Sequence, residues 1–261
     1  MSMTSVIEQM DARGIVTLTL NRPEVHNAIN AEMMDELTAA AARLGADPAV
    51  RAVIVTGQGA SFCAGGDLNW MKAQIAATRQ QRMAEARRLA NMLQALNTMP
   101  KPLIGAVNGA AFGGGIGLIS VCDVAIAAEM AKFGLTETRL GLTPATISPY
   151  VLARMGEGLA RRVFMSSRRF DAHEARALGL LARVLPAEDL LAAAMAEAEA
   201  YLGCAPHAVG AAKALTRMLS TPITDEVIDR TIEELANNWE GAEAHEGVSA
   251  FFEKRAPSWA R

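Results

Sequence analysis

Two glycine-rich turns hold the residues best suited to chemistry. Gly113-Gly114-Gly115 lies between one apolar run and another, so it joins a buried strand to a helix start. Glycine lets a ligand approach the backbone closely, and the unpaired N–H groups of a helix start receive a phosphate or a developing oxyanion. Close helix–sheet packing would use the same glycines. Two phosphate-binding patterns do not fit: a dinucleotide-type third glycine would fall on Leu118, and no Gly-Lys-Ser/Thr follows. Ser61-Phe-Cys-Ala-Gly-Gly-Asp67-Leu68 makes a second small-residue loop. By itself it also reads as a plain turn with Asp67 as a helix N-cap. Together, two backbone N–H groups from separate strand-to-helix turns could converge on one oxygen, which is how an enolate from a thioester or ester is held.

The elements around these turns follow from periodicity. Gly14 to Leu20 alternates with period two, and Ala52 to Thr56, Leu103 to Val107 and Asp123 to Ala127 are short apolar runs between turn signals, so all four read as strands. A helix is expected from about Asn30 to Leu44, with Met33, Met34, Leu37 and Ala41 at helical spacing and Gly45 as its stop. Gly57 to Asp67 reads as loop throughout, and a polar helix covers roughly Thr78 to Asn97. Strands alternating with helices argue for right-handed parallel crossovers, hence an α/β fold. Beyond about Arg154 the pattern turns helical. Asp171-Ala-His-Glu174 looks like a capping box, helices are expected near 187–203, 206–219 and 223–239, and one short strand spans Leu181 to Leu185.

Composition narrows the class. The chain has 261 residues, of which 51% are hydrophobic, 20% charged and 5% aromatic, so aliphatic and alanine packing must carry the core. A chain of this length buries roughly 70–75% of its unfolded surface and needs no staples. The net charge of −3 opposes a general nucleic-acid footprint. Cys63, Cys122 and Cys204 form neither a disulfide framework nor a zinc spacing, which suits reduced thiols in a cytoplasmic protein. Met1 to Asp11 carries Glu8 and Asp11 without an apolar run and is expected not to be a signal peptide. No run of apolar residues reaches the ~18 of a membrane span. His26, His173, His207 and His245 show no ligand spacing and are expected to be surface or structural residues.

An ordered set of motifs then resembles one family. Phe62-Cys-Ala-Gly-Gly-Asp-Leu68, Lys101-Pro-Leu-Ile-Gly-Ala-Val-Asn-Gly-Ala-Ala-Phe-Gly-Gly-Gly115, Cys122-Asp123 and Phe133-Gly-Leu-Thr-Glu137 resemble the enoyl-CoA hydratase/isomerase (crotonase) family, and the likeness runs on to Phe251-Phe-Glu-Lys-Arg255. The resemblance implies an α/β ββα-repeat core over residues 1–190 and a helical trimerisation region over 191–261, assembled as a homotrimer or a dimer of trimers. It implies an acyl-CoA thioester substrate, with no cofactor apart from the coenzyme A that is part of that substrate. It places the oxyanion hole at the backbone N–H groups of Gly66 and Gly114. The Ala64 to Leu68 loop, Asp67 included, would run along the CoA adenine and pantetheine, with Val25 and Ala28 near the nucleotide. Lys254 would reach CoA phosphates, and Asp123 would hold a structural position.

Hydratases of this family divide proton work between two glutamates. The second matches Glu137; the position of the first is Gly117. A positioned acid or base contributes ~10²–10⁴-fold, so its absence has to be compensated. The segment Glu137 to Tyr150 departs from the family's common glycine-rich form and, with Gly66-Asp-Leu-Asn-Trp-Met71, resembles the branch of 3-methylglutaconyl-CoA hydratases of leucine or isoprenoid breakdown. A distal carboxylate on such a substrate could replace the missing glutamate, anchored by Arg139 or Lys72. Two other functions fit the residues: a Δ3,Δ2-enoyl-CoA isomerase, which needs only one carboxylate, and a non-catalytic CoA- or RNA-binding homologue.

Overall fold

The computed structural model describes residues 4–260, so Met1 to Met3 of the N-terminal segment and the terminal Arg261 lie outside the described residues. In chain order the strands are β1 (Val6–Met10), β2 (Ile15–Leu20), β3 (Ala52–Gly57), β4 (Ser61–Cys63), β5 (Leu103–Val107), β6 (Ala110–Phe112), β7 (Val124–Ala128), β8 (Lys132–Gly134), β9 (Phe170–Asp171) and β10 (Arg183–Leu185). The helices are α1 (Ala31–Ala46), α2 (Leu68–Ala76), α3 (Arg79–Thr98), α4 (Gly114–Ser120), α5 (Ser148–Met155), α6 (Glu157–Phe164), α7 (Ala172–Ala177), α8 (Leu190–Glu199), α9 (Pro206–Leu219), α10 (Asp225–Glu240) and α11 (Ala242–Phe252).

The main sheet has the order β1-β2-β3-β5-β7-β10 and is parallel except for the β1 edge. Period-two alternation sends its apolar residues both ways. Val16, Leu18, Val53, Val55, Leu103 and Val107 face the large core shared with α1 and α3, while Ile15, Ile54, Ile104, Ala106 and Ile126 face Leu190, Ala194 and Ala198 of α8. The expected division at 190/191 therefore falls on a helix packed against the main sheet. A second sheet, ordered β4-β6-β8-β9, stands beside the first and carries the two glycine turns on its strands.

Four expectations change. The stretch from Gly57 to Asp67 is not loop throughout: Ser61–Cys63 is a fully buried strand pairing with β6. Gly45 does not stop α1, which continues to Ala46 with Asp47 as its cap; a Cβ at residue 45 would stand 3.0 Å from Pro100 Cδ, so this glycine makes room for packing. The capping box at Asp171 is half formed. Asp171 accepts the Glu174 N–H at 2.8 Å, but the Glu174 carboxylate is drawn to Arg168 at 2.6 Å. The C-terminal helices also begin later than expected, α8 at Leu190 and α10 at Asp225, and α11 adds one that periodicity did not reveal.

Candidate active site

The turn after β4 is pinned by α1's entry segment. The Ile29 N–H donates to the Gly65 carbonyl at 2.7 Å, and the Asp67 N–H donates to the Ile29 carbonyl at 3.0 Å. This pairing consumes the groups on either side of Gly66 and turns the Gly66 N–H the other way, where it donates no hydrogen bond among the described residues. Gly65 adopts φ +94°, a left-handed value that favours glycine. Asp67 locks the turn from beneath. Its carboxylate caps α2 through Asn69 and Trp70 and pairs with Arg22 at 2.9 Å. Burial pushes its pKa up, but Arg22 and those two N–H groups outweigh burial and hold it below the usual carboxylate value.

The second turn leaves β6. Gly113 sits at φ +46° and donates its N–H to the Gly134 carbonyl at 3.0 Å; the next N–H, that of Gly114, donates nowhere among the described residues. The turns touch. A Cβ built on Gly65 would lie 3.8 Å from the Gly114 nitrogen, and one built on Gly114 would lie 4.0 Å from Gly65 Cα. Two free N–H groups thus come from turns in van der Waals contact.

Glu137 opens a 3-10 turn, Glu137–Leu140, directly after β8. Its Oε1 lies 2.8 Å from the point where a side chain on residue 113 would begin, so glycine there is what admits the carboxylate. The residue as a whole is half-buried, yet its Oε2 is sealed from solvent and has no hydrogen-bond partner among the described residues. Burial raises the Glu137 pKa from 4.5 to about 7, with its own N–H and that of Thr136 opposing the shift. A carboxyl poised there accepts and returns a proton near neutral pH.

Gly65, Gly66, Gly113, Gly114 and Glu137 line one wall of a cavity of about 390 Å³. Apolar groups form most of the rest, among them Met34, Leu89, Leu142, Ile147 and, from the C-terminal helices, Leu235, Trp239 and Phe251. The position expected for a first glutamate is closed. A Cβ on Gly117 would stand 2.6 Å from Ile147 Cγ2 and 3.1 Å from Ile147 Cβ. Arg139 and Arg169 also border the cavity, and neither guanidinium forms an ion pair among the described residues. Arg169 lies 5.2 Å from the centre of the Phe112 ring.

Of the residues singled out in the sequence, Ala64, Gly66, Leu68, Gly114 and Glu137 come together at the cavity. Asp67 supports the turn from below. Val25 lies in a 3-10 turn, and Ala28 is buried with its carbonyl bound to Arg22; neither is part of the cavity wall. Lys254 is exposed just past α11 and does not line the cavity. Lys72 also stands outside it, with its Nζ 5.5 Å from the Phe252 ring, so Arg139 is the one of the two expected anchors that borders the site. Asp123 accepts from the Leu103 N–H and Lys213, a structural pairing. His26 Nδ1 lies 3.0 Å from Ser61 Oγ beneath the first turn. Arg169 does not stand out in the sequence, because the second basic residue of Arg168-Arg169-Phe170 has no spacing that marks it.

Known proteins resemble this chain in sequence and fold. The family model described as Enoyl-CoA hydratase/isomerase matches residues 11–261. The 2,3-dehydroadipyl-CoA hydratase of Escherichia coli is 34% identical over 247 residues, 94% of each chain. The crystal structure of an enoyl-CoA hydratase from Shewanella pealeana superposes with a TM-score of 0.80 at 37% identity, covering 98% of this chain and 96% of that one. AtuE of Pseudomonas aeruginosa gives 0.78 at 38% identity, with 98% and 100% covered.

Proposed function

The chain belongs to the enoyl-CoA hydratase/isomerase family, and on that premise we propose that it adds water across the 2,3 double bond of an acyl-CoA thioester through an enolate, with Glu137 as the single acid–base group. The observation that carries this reading is the Glu137 carboxylate lying against Gly113, next to the free N–H of Gly114. The thioester oxygen accepts from the N–H groups of Gly66 and Gly114. Glu137 takes one proton from water as the water oxygen bonds to Cβ. The π pair moves through Cα onto the thioester oxygen, and two amides positioned in advance receive the charge. An oxyanion donor of this kind is worth ~2.7–4 kcal/mol of transition-state stabilisation. Glu137 then returns its proton to Cα as the enolate collapses. The net change is H on Cα and OH on Cβ.

The acyl group we assign is one with a distal carboxylate, of the 3-methylglutaconyl class. Arg139 and Arg169 at the cavity border, free of carboxylate partners among the described residues, support this reading, as does a relative named for a dehydroadipyl ester. The Ala64–Leu68 loop is the path for pantetheine, and Val25, Ala28 and Lys254 are the reading's outer CoA contacts. A homotrimer or dimer of trimers is supported by α9, which has no buried residue and exposes Leu215, Met218 and Leu219. Light scattering checks it, and a monomer would refute it.

A second reading, Δ3,Δ2-enoyl-CoA isomerisation, is favoured by the absence of a carboxylate at Gly117. A panel of enoyl-CoA esters in 18O-water decides between them by mass spectrometry. Hydration places label in a hydroxyacyl product, and isomerisation leaves mass unchanged. Turnover of 3-methylglutaconyl-CoA no better than crotonyl-CoA would remove the carboxylate-bearing class.

A further inference from the structure

The chain has three tryptophans, and two of them, Trp70 of α2 and Trp239 of α10, line the cavity. Trp70 is fixed at both edges of its ring. A Cβ built on Gly66 would lie 3.6 Å from Trp70 Cε3 and 3.7 Å from Cζ3, so the six-membered ring stands beside the turn that carries the free Gly66 N–H. At the opposite edge the indole Nε1–H donates to Glu85 Oε2 of α3 at 2.9 Å. The half-buried indole therefore spans the gap between the Gly66 turn and α3. Any other rotamer would give up the hydrogen bond at one edge or the packing at the other.

One face of α3 holds this arrangement. Glu85 takes the indole N–H, and Leu89, four positions on and so on the same side of the helix, borders the cavity. The Glu85 carboxylate is itself oriented. Its Oε1 accepts from Arg88 at 3.1 Å, and Arg88 is bound through Nε and Nη2 to Asp35 of α1 at 2.8 and 2.7 Å. Arg82, three positions before Glu85, donates to the Gln74 carbonyl near the end of α2 at 2.8 Å. Its guanidinium lies 5.9 Å from the centre of the Trp239 ring. Each tryptophan of the cavity thus stands beside a charged side chain of α3.

We infer that Trp70 closes the cavity between the Gly66 turn and α3 and so restricts the substrate to a short acyl group, with Glu85 as the positioning residue that holds the ring across the gap. The inference rests on the acyl-CoA reading above. An acyl group whose carbonyl oxygen accepts from Gly66 and Gly114 starts beside the six-membered ring of Trp70, in a cavity of about 390 Å³. A long unbranched chain directed toward α3 meets the indole; a short branched one stays on the near side of it. Glu85 does not line the cavity and acts only through the ring. Its hydrogen bond to the indole is charge-assisted, the stronger class, which suits a wall that must not swing open when a chain presses on it.

The test reads the ratio of kcat/KM for trans-2-decenoyl-CoA to that for crotonyl-CoA in wild type, Trp70→Ala, Glu85→Ala and Glu85→Gln, with thermal melting of each. Wild type should favour crotonyl-CoA. Trp70→Ala should raise the ratio about 10-fold or more, because a fixed apolar wall discriminates chain length by about that much. Glu85→Ala should raise it about threefold by releasing the ring, and Glu85→Gln, which keeps an oxygen for the indole N–H, should return it to the wild-type value. Wild type that uses both esters equally, or an unchanged ratio in Trp70→Ala, overturns the inference. So does a Glu85→Ala protein that melts lower with its ratio unchanged, the result of a tie that only joins two helices. If Trp70→Ala does not fold, the two Glu85 variants decide by the same ratio. Wild type that hydrates no ester overturns the hydratase reading alone. Dissociation constants of butyryl-CoA and decanoyl-CoA then supply the ratio: relative tightening of decanoyl-CoA in Trp70→Ala upholds the wall, and no change overturns it.

Discussion

At the cap of α4 and in its first turn, two glycines meet opposite chemistry. At Gly113 the missing side chain admits a carboxylate, Glu137, whose Oε1 would otherwise clash at 2.8 Å. At Gly117 the missing side chain admits a hydrocarbon, Ile147, at 2.6 Å. The same residue type thus creates a charged station at the cap of α4 and a closed one within the helix. The lesson concerns what glycine specifies. Its own chemistry is null, so the function of each position is decided by the distant segment that fills the space, here residue 137, which opens a 3-10 turn, and residue 147 beyond it.

The comparison breaks most severely at the charged end. Glu137→Gln keeps shape and removes the base, so kcat for hydration should fall ~10²–10⁴-fold while the ester still binds; near-normal turnover in a stopped spectrophotometric assay would move the proton work elsewhere. Gly114→Val should rank next. Its side chain would start 2.9 Å from Ile29 Cδ1 and intrude where the thioester oxygen is held, lowering kcat/KM ~10²–10³-fold. Full activity would place the oxyanion hole elsewhere.

The closed end is tested by stability. Gly117→Glu overpacks against Ile147 and should destabilise the fold by about 1–3 kcal/mol, read by denaturant titration, and Ile147→Gly in the same chain should relieve the strain. A single variant as stable as wild type would mean the space is open after all. The smallest effect is expected at the exposed rim. Arg139→Ala should raise KM for 3-methylglutaconyl-CoA about two- to fivefold and leave crotonyl-CoA unaffected, because an exposed ion pair is worth ~0.2–1 kcal/mol. Equal effects on both esters would detach Arg139 from acyl recognition.

The contrast also marks what the sequence makes legible. The strands of the main sheet are visible because Ala52–Gly57 and Leu103–Val107 are buried on both faces and carry unbroken apolar runs. The second sheet is not visible, because Ser61–Cys63, Ala110–Phe112 and Lys132–Gly134 are each three residues, too short to display a period. In the site, Gly66, Gly114 and Glu137 stand out through ordered motifs. The closure of Gly117 does not, because its contact with Ile147 joins positions no local pattern connects. Lys72 illustrates the reverse error: a cation near the motif in sequence is turned toward the Phe252 ring.

The central claim is that one carboxylate, lifted by burial to a pKa of about 7, does both proton transfers. Its most direct test is kcat/KM for enoyl-CoA hydration across pH. The free enzyme must hold Glu137 ionised to accept the water proton, so activity is full above the shifted value and is lost as pH falls through it. The predicted profile has one inflection near pH 7, with no second limb from a partner acid, and that inflection is absent in the residual activity of Glu137→Gln. A bell with two ionisations, or an inflection that survives Glu137→Gln, would contradict it.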